Sequence, residues 1–245
     1  MKVLVANLGS TSFKYRLFEM DAEVPRLVAM GGFERVTDHG DAIDQCLNSL
    51  RGEGIIESLD DIDAVGFKAV HGGAVSGCLL ADDRVLEALD QSADIAPAHN
   101  PAYAAGIRQF RLRSPDLALV ALFETAFYQW VDEAASRYAV PQAWYEAGIR
   151  RYGFHGASHK FVAERSAVLV GREVLAVAVR RLYLLGPAQV DGPASGVMSC
   201  LLGGRRSVSG MLNGTAIGCR LGFCPQSGLP HNNGVGDLVW AALPF

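Results

Sequence analysis

Residues 3–20 read VLVANLGSTSFKYRLFEM, and the fold is decided there. Val3–Ala6 is a short apolar, β-branched run that ends in Asn-Leu-Gly-Ser; Tyr15–Met20 and Arg26–Met30 read as two further strands. Three strands in succession imply an antiparallel meander. Downstream, Asp41–Leu50 places Ile43, Cys46, Leu47 and Leu50 at helical spacing, and Ile62–Val70 is a strand ending at His71-Gly-Gly. Helical patterns follow at Arg84–Gln91 and Pro101–Arg111, and Leu117–Phe123 is a nearly continuous apolar run of the buried parallel type. Three strands, helix, strand, helices, strand is the order of an α/β layer fold with polar loops at its strand ends, where such sheets bind ligands.

Beyond Phe127 the pattern loosens through Tyr138–Pro141 and resumes as a helix from Gly156 to about Leu169. A domain boundary is therefore read at 148/149. Segment 170–198 diverges from any clear period and is assigned only as strand or helix. Ser199–Leu202, Ser207–Leu212 and Thr215–Cys219 then read as three short strands separated by Gly203-Gly204 and by Asn213-Gly214, a hairpin signal. A second meander starts here, and the 245-residue chain stops before the elements that would complete it. An unpaired sheet edge and an uncovered apolar face are expected to promote self-association.

Composition narrows the function classes. Half of the residues are hydrophobic, 20% are charged and mean hydropathy is +0.17, which excludes a disordered chain, while no unbroken apolar run is long enough for a membrane span. A net charge of −4 without a basic patch argues against nucleic-acid binding. The opening apolar run is too short for a secretory signal, so a cytoplasmic protein is expected. Five scattered cysteines without a CxxC pair suggest neither a disulfide framework nor a zinc site. Glycine is high, at 27 residues, and clusters beside polar groups.

Five polar stretches carry the candidate chemistry. Asn7-Leu-Gly-Ser-Thr-Ser-Phe-Lys14 offers backbone N–H groups, the hydroxyls of Ser10, Thr11 and Ser12 and the Lys14 ammonium to a phosphate, or is an ordinary polar hairpin; its spacing is not that of a Walker A loop. Lys68-Ala-Val-His71-Gly-Gly73 sets a cation and an imidazole at a strand end. His99 sits between Pro97 and Pro101, as a ligand or as a structural residue. Glu124 follows the fifth strand, where a carboxylate binds magnesium, orients an acceptor or caps the next helix. In Arg150-Arg-Tyr-Gly-Phe-His155-Gly-Ala-Ser-His159-Lys160, His155 and His159 have the spacing of two zinc ligands on one helix face. The Glu of HExxH and a third ligand are absent, and an anion-facing role for His155 at a helix N-terminus is better founded.

In this order the segments VLVANLGSTSFKYRLFEM, AVGFKAVHGG, IAPAHNP, LFETAF and RRYGFHGASHKFVAER resemble those of the acetate kinase family, the acetate and propionate kinases of the sugar-kinase, Hsp70 and actin superfamily. They cover residues 1 to about 166. The resemblance implies an actin-like, ribonuclease H-like ATPase fold built from a duplicated βββαβαβα unit. Residues 1–148 would be the first such domain, largely present, and 149–245 a truncated second one. It implies phosphoryl transfer from ATP to acetate or propionate with Mg²⁺, and a homodimer. Asn7 would then stand on the magnesium side, with Lys14, Ser10, Ser12, Gly203 and Gly204 on the nucleotide. Lys68 and His99 would face the acyl substrate, and Glu124 and His155 would be catalytic.

The sequence also departs from the family pattern. Lys68 stands where the family has an acetate-binding Arg, and Glu124 where it has a catalytic Asp. The phosphate-cradling HLGNGSS is replaced by Leu201-Leu-Gly-Gly-Arg-Arg-Ser207, and Gly234 occupies the place of a second arginine that stabilises the transition state. Two function classes follow: a phosphotransferase of low activity as this chain alone, or a catalytically dead remnant that acts at most as a binding module.

Overall fold

Alternation of buried and exposed residues builds the first sheet. The computed structural model describes residues 1–21, 24–232 and 234–237. In it β1 (Lys2–Leu8) buries Leu4, Ala6 and Leu8 on one face and turns Val5 and Asn7 to the other. The antiparallel β2 (Ser12–Glu19) does the same with Phe13, Tyr15 and Leu17 against Lys14 and Arg16, and β3 (Arg26–Glu34) completes the meander. Next to β1 on its other side runs β4 (Ala64–Ala69), parallel to it. The three-residue β5 (Cys78–Leu80) forms the far edge, antiparallel to β6 (Ala118–Phe123), which is itself parallel to β4. The order across the sheet is β3-β2-β1-β4-β6-β5.

Three helices accompany this sheet: α1 (His39–Gly52), α2 (Asp83–Gln91) and α3 (Asn100–Arg113). Asp38 caps α1 by accepting from the N–H groups of Gly40 and Asp41, and Asp82 caps α2 by accepting from Val85 N–H. Pro101 opens α3, as its fixed φ favours. Ile43, Cys46, Leu47 and Leu50 of α1, with Tyr103, Ile107 and Phe110 of α3, are buried with the inward residues of the strands. The opposite face, carrying Asn7, Lys14 and Arg16, stays open.

The chain divides into two compact units, 1–123 and 124–245. The division falls ahead of the 148/149 boundary read from the sequence, because the turn at Ala126–Tyr128 packs with the later elements. Phe127 and Tyr128 lie in one core with Ala163, Val179, Leu182, Met211 and Ala216. Those residues come from α6 (Gly156–Leu169), α7 (Glu173–Leu185) and an antiparallel sheet of β7 (Gly196–Leu202), β8 (Arg206–Leu212) and β9 (Thr215–Cys219). Before them stand the short helices α4 (Glu133–Ser136) and α5 (Gln142–Glu146). Segment 170–198 thus contains the helix α7 and the start of β7. No helix among the described residues is long and apolar enough to cross a membrane.

Candidate functional site

In the first unit the expected phosphate and metal residues meet on the open face of the sheet. Asn7 and Lys14 stand directly opposite each other across β1 and β2, and Lys14 stands opposite Gly32 across β2 and β3. Lys68 shares that face, since Gly66, two residues earlier on β4, pairs with Val5. With no side chain at Gly32, an open groove of about 580 Å³ remains, lined by Asn7, Lys14, Arg16, Met30 and Glu34 among others. Lys14 Nζ lies 3.1 Å from Glu34 Oε1, with both side chains mostly exposed. Such a pair contributes little in water, so the ammonium can exchange this carboxylate for another anion. Asn7 Oδ1 accepts a hydrogen bond of 2.7 Å from the Tyr103 hydroxyl, which fixes the orientation of its amide. Ser10 is exposed in the turn before β2 and Ser12, the first residue of β2, is half-buried; Gly9 N–H donates to Ser12 C=O at 2.8 Å.

At the end of β4 the loop carrying His71 is held by a residue to which the sequence reading gave no role. Asn100 is fully buried; its Oδ1 accepts from His71 N–H at 3.3 Å, and its Nδ2 donates to the carbonyls of His71, Leu89 and Ser92 at 2.7, 3.2 and 3.2 Å. The bonds join the backbone of the His71 loop to that of the C-terminal end of α2, so no local motif announces them. His99, the residue before it, is half-buried at the N-terminus of α3 and makes no side-chain bond to cap that helix.

In the second unit Glu124, His155 and His159 gather around the N-terminus of α6. Glu124 is 3% exposed, and its carbonyl accepts from Gly156 N–H at 3.0 Å. A Cβ on Gly156 would lie 2.3 Å from that carbonyl oxygen and 2.8 Å from Phe127 Cβ, so only glycine permits this approach. His155 precedes it in the left-handed region at φ 60°, ψ 26°. Such strain persists only where the surroundings impose it. Here the Tyr128 hydroxyl donates to Phe154 C=O at 2.9 Å and shares a bond of 2.6 Å with Ser209 Oγ. Burial raises the Tyr128 phenol well above its ordinary range, so it stays a neutral donor.

The two imidazoles do not form a metal pair. His155 Nδ1 and His159 Nε2 each lie 2.8 Å from the same atom, Ser207 Oγ on β8. No group of three His, Cys, Asp or Glu capable of holding a metal occurs among the described residues. Burial pushes His159 down to about 4, with His155 adding to the fall, and its ring is therefore neutral at pH 7. Ser207 closes the run Leu201–Ser207 noted in the sequence, but nothing local to that run points to its two histidine partners. Gly203 and Gly204 are exposed at the turn between β7 and β8, three or four residues before it, and Gly204 C=O accepts from Asn232 N–H at 3.0 Å. At Gly234 the backbone closes on itself, with His231 N–H donating to Gly234 C=O at 2.9 Å; an added Cβ would meet Gln226 Oε1 at 2.6 Å and His231 Cε1 at 2.9 Å.

Comparison with known proteins agrees with this architecture. Residues 31–245 match the Acetokinase family. The chain is 35% identical over 266 aligned residues to an acetate kinase of Bacillus cereus, covering all of this chain and 62% of that protein. Among solved structures it resembles the acetate kinase of Porphyromonas gingivalis, at 30% identity and a TM-score of 0.80, covering all of this chain and 63% of that one. A propionate kinase from Francisella tularensis is similar at 26% identity and a TM-score of 0.77, with 99% and 63% of the two chains covered. The chain thus spans somewhat under two thirds of the length of these relatives. A family match over residues 31–245, most of the chain, makes this chain a member of the acetokinase family.

Proposed function

We propose that this chain takes part in acetate kinase-type phosphoryl transfer, from ATP to the carboxylate of acetate or propionate. A carboxylate oxygen of the acceptor attacks the γ-phosphorus in line, the bond from phosphorus to the ADP oxygen breaks with its electron pair leaving on ADP, and an acyl phosphate forms. The observation that supports this reading is the placing of Glu124, whose backbone carbonyl accepts from Gly156 N–H, beside His155 at the N-terminus of α6, a helix end that favours an anion. His155 is assigned the role of hydrogen-bond donor to the transferring phosphoryl, and Glu124 that of orienting the reacting groups.

Lys68 and His99 would hold the acyl substrate. A lysine gives a point charge in place of a two-pronged guanidinium, so weak acetate binding is expected. Lys14, Ser10, Ser12, Gly203 and Gly204 are assigned to the nucleotide phosphates. Mg²⁺ is held chiefly by phosphate oxygens and water in such enzymes, with one or two oxygens from the protein. Asn7 fits that limited role, since its carbonyl oxygen retains a lone pair beyond the one Tyr103 uses. When bound, Mg²⁺ would supply charge neutralisation on the phosphates.

The second reading, a non-catalytic binding module, is favoured by Leu201, Gly204 and above all Gly234. One missing arginine of that kind is worth roughly 10³ to 10⁵ in rate. Acyl-hydroxamate formation from acetate, ATP and Mg²⁺ by the purified 245-residue chain decides between the two, with a Lys14→Ala, His155→Ala double variant as control. Slow turnover abolished in the control is expected. Turnover no greater than the control would leave the binding module as the better reading.

A further inference from the structure

We propose that Ser207 is a positioning residue that fixes the tautomer of His155. Its hydroxyl donates to His155 Nδ1 and accepts from His159 Nε2–H, so that the proton of the His155 ring sits on Nε2.

A serine hydroxyl has one proton to donate, yet Ser207 Oγ lies 2.8 Å from a ring nitrogen on each side. At most one imidazole can therefore accept from it, and if both donated the buried hydroxyl proton would have no acceptor among the described residues, so one ring donates and the other accepts. Ser207 and His159 are both fully buried, so water does not relieve the choice. His159 Nδ1 is buried and has no hydrogen-bond partner among the described residues. If His159 accepted at Nε2, its neutral ring would carry the proton on Nδ1, an orphaned buried N–H, which is the rarer and costlier kind of unsatisfied group. With His159 donating from Nε2, only a lone pair is left at Nδ1. Burial disfavours the imidazolium that would escape this choice. The direction of the chain is then set: His159 Nε2–H to Ser207 Oγ, and Ser207 Oγ–H to His155 Nδ1.

The consequence is that His155 presents a donor rather than a lone pair from its Nε2 edge. A donor is what a phosphoryl oxygen requires and what a proton-abstracting base lacks. This deepens the proposed role of His155 and rests on that reading for its functional meaning, although the tautomer itself can be tested without turnover.

The test is long-range ¹H–¹⁵N NMR of the histidine side chains in the full chain at pH 7, comparing wild type with Ser207→Thr and Ser207→Ala. The expected wild-type spectrum has a pyridine-type Nδ1 and a pyrrole-type Nε2 for His155. Ser207→Thr, which keeps the hydroxyl, should retain that pattern, and Ser207→Ala should move both resonances toward the average of two exchanging tautomers. A pyrrole-type Nδ1 in wild type would overturn the proposal, and so would an unchanged His155 pattern in folded Ser207→Ala. If that variant fails to fold, wild type and Ser207→Thr still decide the direction of the chain. Loss of the hydroxamate signal with the expected NMR pattern would sink the kinase reading and leave the tautomer assignment standing.

Discussion

Burial takes the His159 imidazole from its ordinary 6.5 down to about 4, with His155 adding to the fall and Glu124 opposing it. The folded pKa is depressed, so this group's contribution to stability is complete above about pH 6.5 and is lost as pH falls from there toward 4, where the unfolded chain takes up the proton. That difference corresponds to on the order of 3 kcal/mol. Urea midpoints measured between pH 7 and pH 4.5 should fall more steeply for wild type than for His159→Gln, which keeps a polar side chain but does not titrate. Parallel slopes would contradict the account. At this scale the sequence made Asn7, Lys14 and His155 legible because each sits in a recognisable run of residues. Ser207 and Asn100 also lie in quoted runs, but their roles were not legible, since their partners are 48 and 52 residues away in one case and up to 29 in the other.

The N-terminus of α6 is where an element depends on one atom that is absent. Gly156→Ala should raise helix propensity, yet the new Cβ would press on the Glu124 carbonyl and on Phe127 Cβ, neither of which is the end of a flexible side chain. Overpacking of this kind costs about 1–3 kcal/mol, so thermal unfolding of Gly156→Ala should show a lower midpoint than wild type despite the better helix former. An equal or higher midpoint would mean that the loop at Glu124 yields. Among the elements, β1 to β4, β6 and α1 to α3 were readable from their alternation or helical spacing. α7 was not: it buries Leu175, Ala176, Val179 and Leu182 but its exposed face carries Val174, Val177, Leu184 and Leu185 beside Glu173, Arg180 and Arg181, so the polar stripe that would mark a helical period is broken by apolar residues. β5 is three residues long, too short for any period to register.

For the molecule as a whole, the family was legible before the structure because its motifs fall in order along the chain. The division at Phe123 was not, because it depends on where Phe127 and Tyr128 pack. In the second unit, Val174, Val177 and Leu184 on α7, and Met198, Leu202 and Ile217 on the sheet, are all exposed. So much apolar surface should drive self-association, and light scattering across a concentration series should give a mass that rises above that of one chain. A constant monomer mass at high concentration would refute this. In the first unit the sheet is covered on one face and open on the other. Even-numbered residues of β1, Leu4, Ala6 and Leu8, are committed to packing, whereas odd-numbered Val5 and Asn7 touch the groove. Stability and ligand choice are thereby encoded in interleaved positions of one strand. Mutations can retune or erase the chemistry of such a sheet while the scaffold beneath it goes on folding, so a well-formed core is no guarantee of a working site.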